Sequence, residues 1–329
     1  MGYQGFDNPI DRSVLATYLR FVYVPEPWSI YRGIYKLEPG CLLTLSREGA
    51  SSSPSDAPQA PIDVRGLSVQ RWWSLRDVAD LAQAGLAAGD RAPGAGRWIL
   101  GQPTKRWDAL ADRLMLDVSL AGDKAHKLAG GLAGVGDVDG LYRSLVSEWK
   151  QPGEVTLGAH EVPNILARPD DWPDLRNAEH RMMYLDSMTY LPGDILCKVD
   201  RAAMAVSLET RVPFLDHRVV ELAWQMPLSM KISGGVGKRP LRRILDKYIP
   251  RELIERPKQG FGVPLADWLR GPLRDWAEVL LDENRLIAEG YFHPAPIRQR
   301  WQEHLSGSRN WQHSLWAVLM FQAWLEAQR

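Results

Sequence analysis

The sequence has no net charge, almost no cysteine and no long apolar run. Forty basic residues balance forty acidic ones over 329 positions, which removes the electrostatic case for nucleic acid or an anionic membrane as the main partner. No apolar stretch approaches the roughly 20 residues that a membrane helix needs. The opening "MGYQGFDNPIDR" also lacks the charged-then-apolar order of a signal peptide, so a cytoplasmic protein is expected. Two cysteines, Cys41 and Cys197, are too few for a disulfide framework and too far apart for a zinc knuckle; buried, reduced thiols are expected. The seven histidines show no ligand spacing, and no metal site is assigned. Tryptophan is the excess: fourteen in all, eight beyond residue 170, which predicts a well-filled aromatic core in the carboxy-terminal half.

Residues 11–48 read as a short α+β segment. Asp11 can cap a helix, and "IYRGIYKLEPGCLLTLS" carries strand formers around a Pro39-Gly40 turn. Two stretches lack apolar period, "REGASSSPSDAPQAP" at 47–61 and "AGLAAGDRAPGAG" at 84–96, and read as a flexible loop and a join. From Arg97 on, the apolar spacing predicts helices at roughly 106–120, 139–149, 174–190, 194–208, 217–226, 238–248, 264–281, 294–305 and 310–328. The last is expected to be a buried closing helix carrying Trp311, Leu315, Val318 or Leu319, and Gln322 on successive turns. Three regions follow: 1–76, a join at 77–96, and an all-helical body at 97–329.

Within that body, Ile195, Val199, Ala202 or Ala203, and Val206 form a core-facing stripe. Lys198, Asp200, Arg201 and Glu209 fall off it, as a solvated face normally would. The continuation "ETRVPFLDHRVVELA" changes the weighting. Its apolar Val212-Pro213-Phe214-Leu215 and the helix cap at Asp216 are expected to trap Glu209 and Arg211 between buried elements, where a charge must be paired or do chemistry. A second cluster, "ERPKQGFGVPLADWL", sets Lys258 before Gln259, Gly260, Phe261 and Gly262. Glycines there let a ligand approach the backbone, and a lysine can serve as a point charge on phosphate.

The strings "YLDSMTYLPGDILCKVDRAAMAVSLETRVPFLDHRVVELAWQMP", "GKRPLRRIL", "PRELIERPKQGFGVPLADWLRGPL" and "LWAVLMFQAWL" closely resemble, in order, the synthetase domain of glutamine-dependent asparagine synthetases. The opening "LATYLRFVYVPEPWSIYRGIYKLEPGCLLTL" is similar to the end of that family's glutaminase domain. The resemblance implies an ATP-dependent carbon–nitrogen ligase. ATP, with Mg, adenylates the side-chain carboxylate of aspartate or a related acid, pyrophosphate leaves, and ammonia from glutamine attacks the acyl-adenylate. Carried over, Glu209 would take a proton from ammonia, Lys258 would contact departing pyrophosphate, and Asp200, Arg201, Arg211, Gln259 and Gly260 would line the cleft.

The sequence departs from the family in two places. Position 2 is Gly2 rather than the glutaminase cysteine, and the Ser-Gly-Gly-x-Asp-Ser loop that cradles pyrophosphate is absent. "ISGGVGK" at 232–238 has the glycines without Asp-Ser and reads as a surface turn. The implied architecture is therefore mostly α: the helical body of an ATP-pyrophosphatase-type domain lacking most of its parallel sheet, behind a glutaminase remnant. Low turnover by this chain alone is expected. The alternatives are a non-catalytic helical interaction module, with apolar surface that drives self-association, and half of a split synthetase completed by another chain.

Overall fold

The computed structural model describes residues 8–46, 60–64, 66–83, 138–175, 177–255 and 262–328. The join at 84–96 and the helix expected at 106–120 lie outside them. Asp11 starts the first helix: its Oδ1 accepts from the N–H groups of Ser13 at 2.9 Å and Val14 at 3.2 Å, satisfying two donors that a helix start leaves open. The helix, α1 (Arg12–Phe21), buries Val14, Leu15 and Leu19. Strands β1 (Cys41–Leu45), β2 (Ile62–Val64) and β3 (Leu67–Arg71) form an antiparallel sheet in the order β1-β3-β2, with Cys41 opposite Arg71 and Leu45 opposite Leu67. The Pro39-Gly40 turn needs its glycine. Gly40 has φ +72°, and a Cβ there would lie 2.2 Å from the Trp73 carbonyl oxygen.

Helices supply the rest. α2 (Leu75–Gln83), α3 (Val138–Leu145) and α4 (Ala178–Met188) pack around Tyr23, Tyr142, Leu166, Tyr184, Leu185 and Trp224. The larger core lies between α1 and the carboxy-terminal helices α10 (Leu265–Arg270), α11 (Arg274–Leu280), α12 (Glu283–Glu289), α13 (Pro294–Leu305) and α14 (Gln312–Ala327). α14 is the expected closing helix, with Leu315, Val318, Leu319 and Gln322 all buried. The helix expected at 264–281 is two helices, because Gly271 and Pro272 interrupt it and proline has no N–H to continue the ladder. None of the described helices is long and apolar enough to cross a membrane.

Between these cores run α5 (Cys197–Met204), α6 (His217–Gln225), α7 (Leu228–Lys231), α8 (Arg239–Leu245) and α9 (Arg251–Ile254). Here the structure corrects the sequence reading. Of the described residues from 194 to 264, Trp224 is the one buried side chain. The stripe on α5 is uncovered: Val199 and Val206 are exposed, with Met204, Leu208, Ile244, Tyr248 and Leu253. A 3.6-residue period identifies an apolar face but not what lies across from it. Cys41 and Cys197 are free thiols, as expected, but half-buried rather than buried.

One buried group ties the carboxy-terminal core to pH. His304 is fully buried in α13, and its Nδ1 accepts from the Trp311 N–H at 3.2 Å, so the proton sits on Nε2. Burial, with Arg270 nearby, pushes its pKa down to about 4. Unfolded chain takes up this proton near pH 6.5 and folded chain does not, so the stabilisation is full above that pH and falls away toward pH 4. From pH 6.5 to 5, urea unfolding of the protein should lose about 1.5 kcal/mol more than that of His304→Gln. Equal losses in the two proteins would remove His304 as the cause.

Candidate functional site

The charged string sits on a bend built by three local features. After α4 the chain makes a wide turn of helix at Leu191–Leu196, which opens at Pro192, a residue without an N–H to donate. Gly193 lies against Tyr23, and a Cβ at that position would fall 2.5 Å from Tyr23 Cδ2. The α4–α5 junction is thereby pressed against the amino-terminal segment. α5 then ends in a tight turn at Ser207, where φ is +59° and the Leu208 N–H bonds Ala203 O at 3.0 Å. The chain leaves that turn along 208–212, turns again at Pro213–Leu215, and enters α6.

The fold of this segment on itself leaves an open cleft of about 500 Å³. Asp200 and Val199 of α5 form one wall, and Thr210, Arg211, Val212 and Pro213 the other, with Asp216 at the base. Glu209 stands beside it, its Oε1 2.5 Å from Arg211 Nη2. Asp216 is fixed most firmly: its Oδ1 accepts from the Arg218 N–H and Nε, both at 2.9 Å, and its Oδ2 from Arg218 Nη2 at 2.6 Å. Those bonds from Arg218 hold its carboxyl well below the usual carboxylate range.

The structure thus brings Asp200 and Arg211 to one cleft; Glu209 does not line it and reaches it only through its ion pair with Arg211. Arg201 is exposed on α5 and does not line it. Lys258, Gln259 and Gly260 lie outside the described residues. The expectation that Glu209 and Arg211 are trapped between buried elements does not hold: their side chains are 68% and 83% exposed. The apolar residues meant to enclose them, Val212, Phe214 and Leu215, are themselves exposed. Sequence reading missed Thr210 as a lining residue and saw Asp216 only as a cap; both belong to the string that contains Glu209 and Arg211.

Chemically the cleft offers one guanidinium, one hydroxyl and the two carboxylates of Asp200 and Asp216 among apolar side chains. A triphosphate needs converging backbone N–H groups or several cations, and the described lining provides neither. The glycine turn at 233–236, held by a bridge between Ser233 and Val236, is a surface turn as expected and does not line the cleft. The described residues do not, by themselves, fit ATP and Mg.

A family model described as asparagine synthase matches residues 71–326. Among curated proteins, the chain is 34% identical over 145 residues to asparagine synthetase (glutamine-hydrolyzing) 1 of Bacillus subtilis strain 168, covering 44% of this chain and 23% of that protein. It is 40% identical over 145 residues to a putative asparagine synthetase (glutamine-hydrolyzing) of Mycobacterium bovis, covering 44% and 22%. With asparagine synthetase (glutamine-hydrolyzing) of Mus musculus it shares 30% over 164 residues, covering 44% and 28%. The match therefore spans about a quarter of each relative's length. No solved structure gives a significant match.

Asp216 links the cleft to the helix behind it. Asp216→Ala removes the acceptor of the Arg218 N–H and should speed amide exchange at Arg218 about fivefold, while Asp216→Asn, which keeps an acceptor, stays near the parent rate. Identical exchange in all three proteins would show that the cap does not hold α6.

Proposed function

Because the chain belongs to the asparagine synthase family, we propose that it carries the acyl-transfer side of an ATP-dependent, amide-forming ligase of the glutamine-hydrolysing asparagine synthetase type. The observation that supports this reading is that Asp200 and Arg211 line one cleft of about 500 Å³, with Glu209 ion-paired to Arg211 beside it. In it, Glu209 accepts a proton from the attacking ammonia. Arg211 orients the carboxylate of aspartate or a related acid, and Asp200 positions rather than reacts; Arg201, assigned to the same motif by resemblance, lies outside the described lining and gets no role in it. Lys258 and the Gln259-Gly260 pair are assigned to the same reaction by their match to the family's motif alone.

ATP with Mg supplies the adenylation chemistry in such enzymes, and the described cleft does not fit that group. Because the sequence also has no Ser-Gly-Gly-x-Asp-Ser loop, we assign nucleotide binding to a separate polypeptide bearing one, and low turnover to this chain alone. Purified protein given ATP, Mg²⁺, aspartate and ammonia should release little or no pyrophosphate. Robust formation of AMP would overturn the assignment.

The exposed apolar face of α5–α9 favours a second reading, an interaction module whose function is to be covered. Single soluble proteins rarely leave contiguous apolar patches larger than a few hundred Å², and here Val206, Phe214, Tyr248 and Leu253 are each more than half exposed. Under this reading the chain binds a hydrophobic dye and sediments as a concentration-dependent oligomer. A dye-silent monomer with a cooperative melt would remove it.

A further inference from the structure

Lys231, the last residue of α7, has surroundings unlike those of a surface lysine. Arg239 Nη1 donates to the Ser229 carbonyl at 2.7 Å, and the Ile232 N–H bonds Leu228 O at 2.8 Å, so the turn that bears Lys231 is tied at both ends. Its side chain runs back over the second core. There Nζ lies 3.1 Å from His180 Nε2 and 5.3 Å from the centre of the Trp224 ring. His180 is itself fully buried, tilted against the same tryptophan at 5.8 Å. Among the described residues no carboxylate pairs with Lys231, whereas Lys36 and Lys198 each have one, at 3.5 and 2.8 Å.

An ammonium ion this close to an imidazole can only donate, so Nε2 offers its lone pair and the imidazole is neutral. Burial first, and Lys231 second, lower the His180 pKa, with Glu179 opposing. Burial also pushes the Lys231 amine down to about 8. The Trp224 face works in the other direction, favouring the ammonium, but burial outweighs it. A half-exposed amine, held beside a neutral base and carrying little charge penalty when deprotonated, is a nucleophile.

We propose that Lys231 is a covalent modification site, an amine that small acyl phosphates acylate in preference to the chain's ordinary lysines. The nitrogen lone pair attacks the carbonyl carbon and a C–N bond forms. The C–O bond to phosphate breaks and inorganic phosphate leaves with its electron pair. The amine proton passes to His180 Nε2 and on to water. The acyl group must be small, because Trp224 and His180 close one side of the site. The inference is independent of the ligase reading, since Lys231 does not line the cleft.

Acetyl phosphate is the probe, with peptide mass spectrometry of initial rates at pH 7.5. Lys231 should acetylate on the order of tenfold faster than the exposed Lys247, its gain in neutral amine partly offset by its lower basicity. Its rate should level off above about pH 8. The preference should vanish in guanidinium chloride, and His180→Gln, which keeps an acceptor but removes the base, should slow Lys231 several-fold and leave Lys247 unchanged. Equal rates at the two lysines, a Lys231 rate still climbing at pH 10, or a preference that persists in denatured chain would each overturn the proposal.

Discussion

The cleft-bearing segment hangs on Trp224. From residue 194 to 264, this is the one described side chain that is buried, and its neighbours are the elements that hold the segment in place. Tyr184 of α4 meets it edge-on at 6.5 Å, and His180 and Lys231 lie against its faces. One turn earlier on α6, Glu221 accepts from Trp73 Nε1 at 3.1 Å, and His217 meets Trp72 edge-on at 6.2 Å. A single tryptophan buries roughly 150–250 Å². That anchors one helix, but it does not offset the conformational entropy of ordering a segment this long, at about 1–2 kcal/mol per residue. The apolar faces of α5, α8 and α9 are what further burial would draw on.

The anchor explains the asymmetry of the site. The residues nearest to it are the firmest: Asp216, fixed by three bonds from Arg218, stands at the start of the helix that bears Trp224. Glu209 and Arg211 lie earlier in the chain, outside any helix or strand, largely exposed and ion-paired to each other. An exposed pair of this kind contributes little to stability. Its geometry becomes useful only when a second wall lowers the local dielectric and limits the rotamers. Placement and preorganisation are therefore separate here: the fold supplies the first, and a covering surface has to supply the second.

Legibility from the sequence follows the same division. The helix at 294–305 was readable to the residue, and the caps at Asp11 and Asp216 were readable too, because capping and period are local properties. The break at Gly271-Pro272 was in the residues as well, though apolar spacing alone ran through it. Burial was not legible, since it depends on the partner surface: Val199 and Val206 have the right spacing and nothing across from them. Glu209 and Arg211 were singled out on an argument from trapping that the structure does not support; what the structure shows is their ion pair, with Arg211 lining the cleft. The Lys231–His180 contact joins positions 51 apart, and no local pattern marks it.

The exposed face and the half-built cleft are one physical fact. The string from Asp200 to Asp216 lines the cleft with both kinds of group, Asp200, Thr210, Arg211 and Asp216 beside Val212, Pro213 and Leu215, and leaves Val206 and Phe214 exposed outside the lining. Covering those apolar groups would remove them from water at about 25 cal/mol per Å². The same step would close the open side of the cleft around Glu209 and Arg211. Stabilisation of the segment and desolvation of its charges are coupled, so any surface that binds for the first reason also completes the site for the second. Apolar burial at Phe214 and Leu215 is then the driving term, and the Glu209–Arg211 pair gains its strength from it.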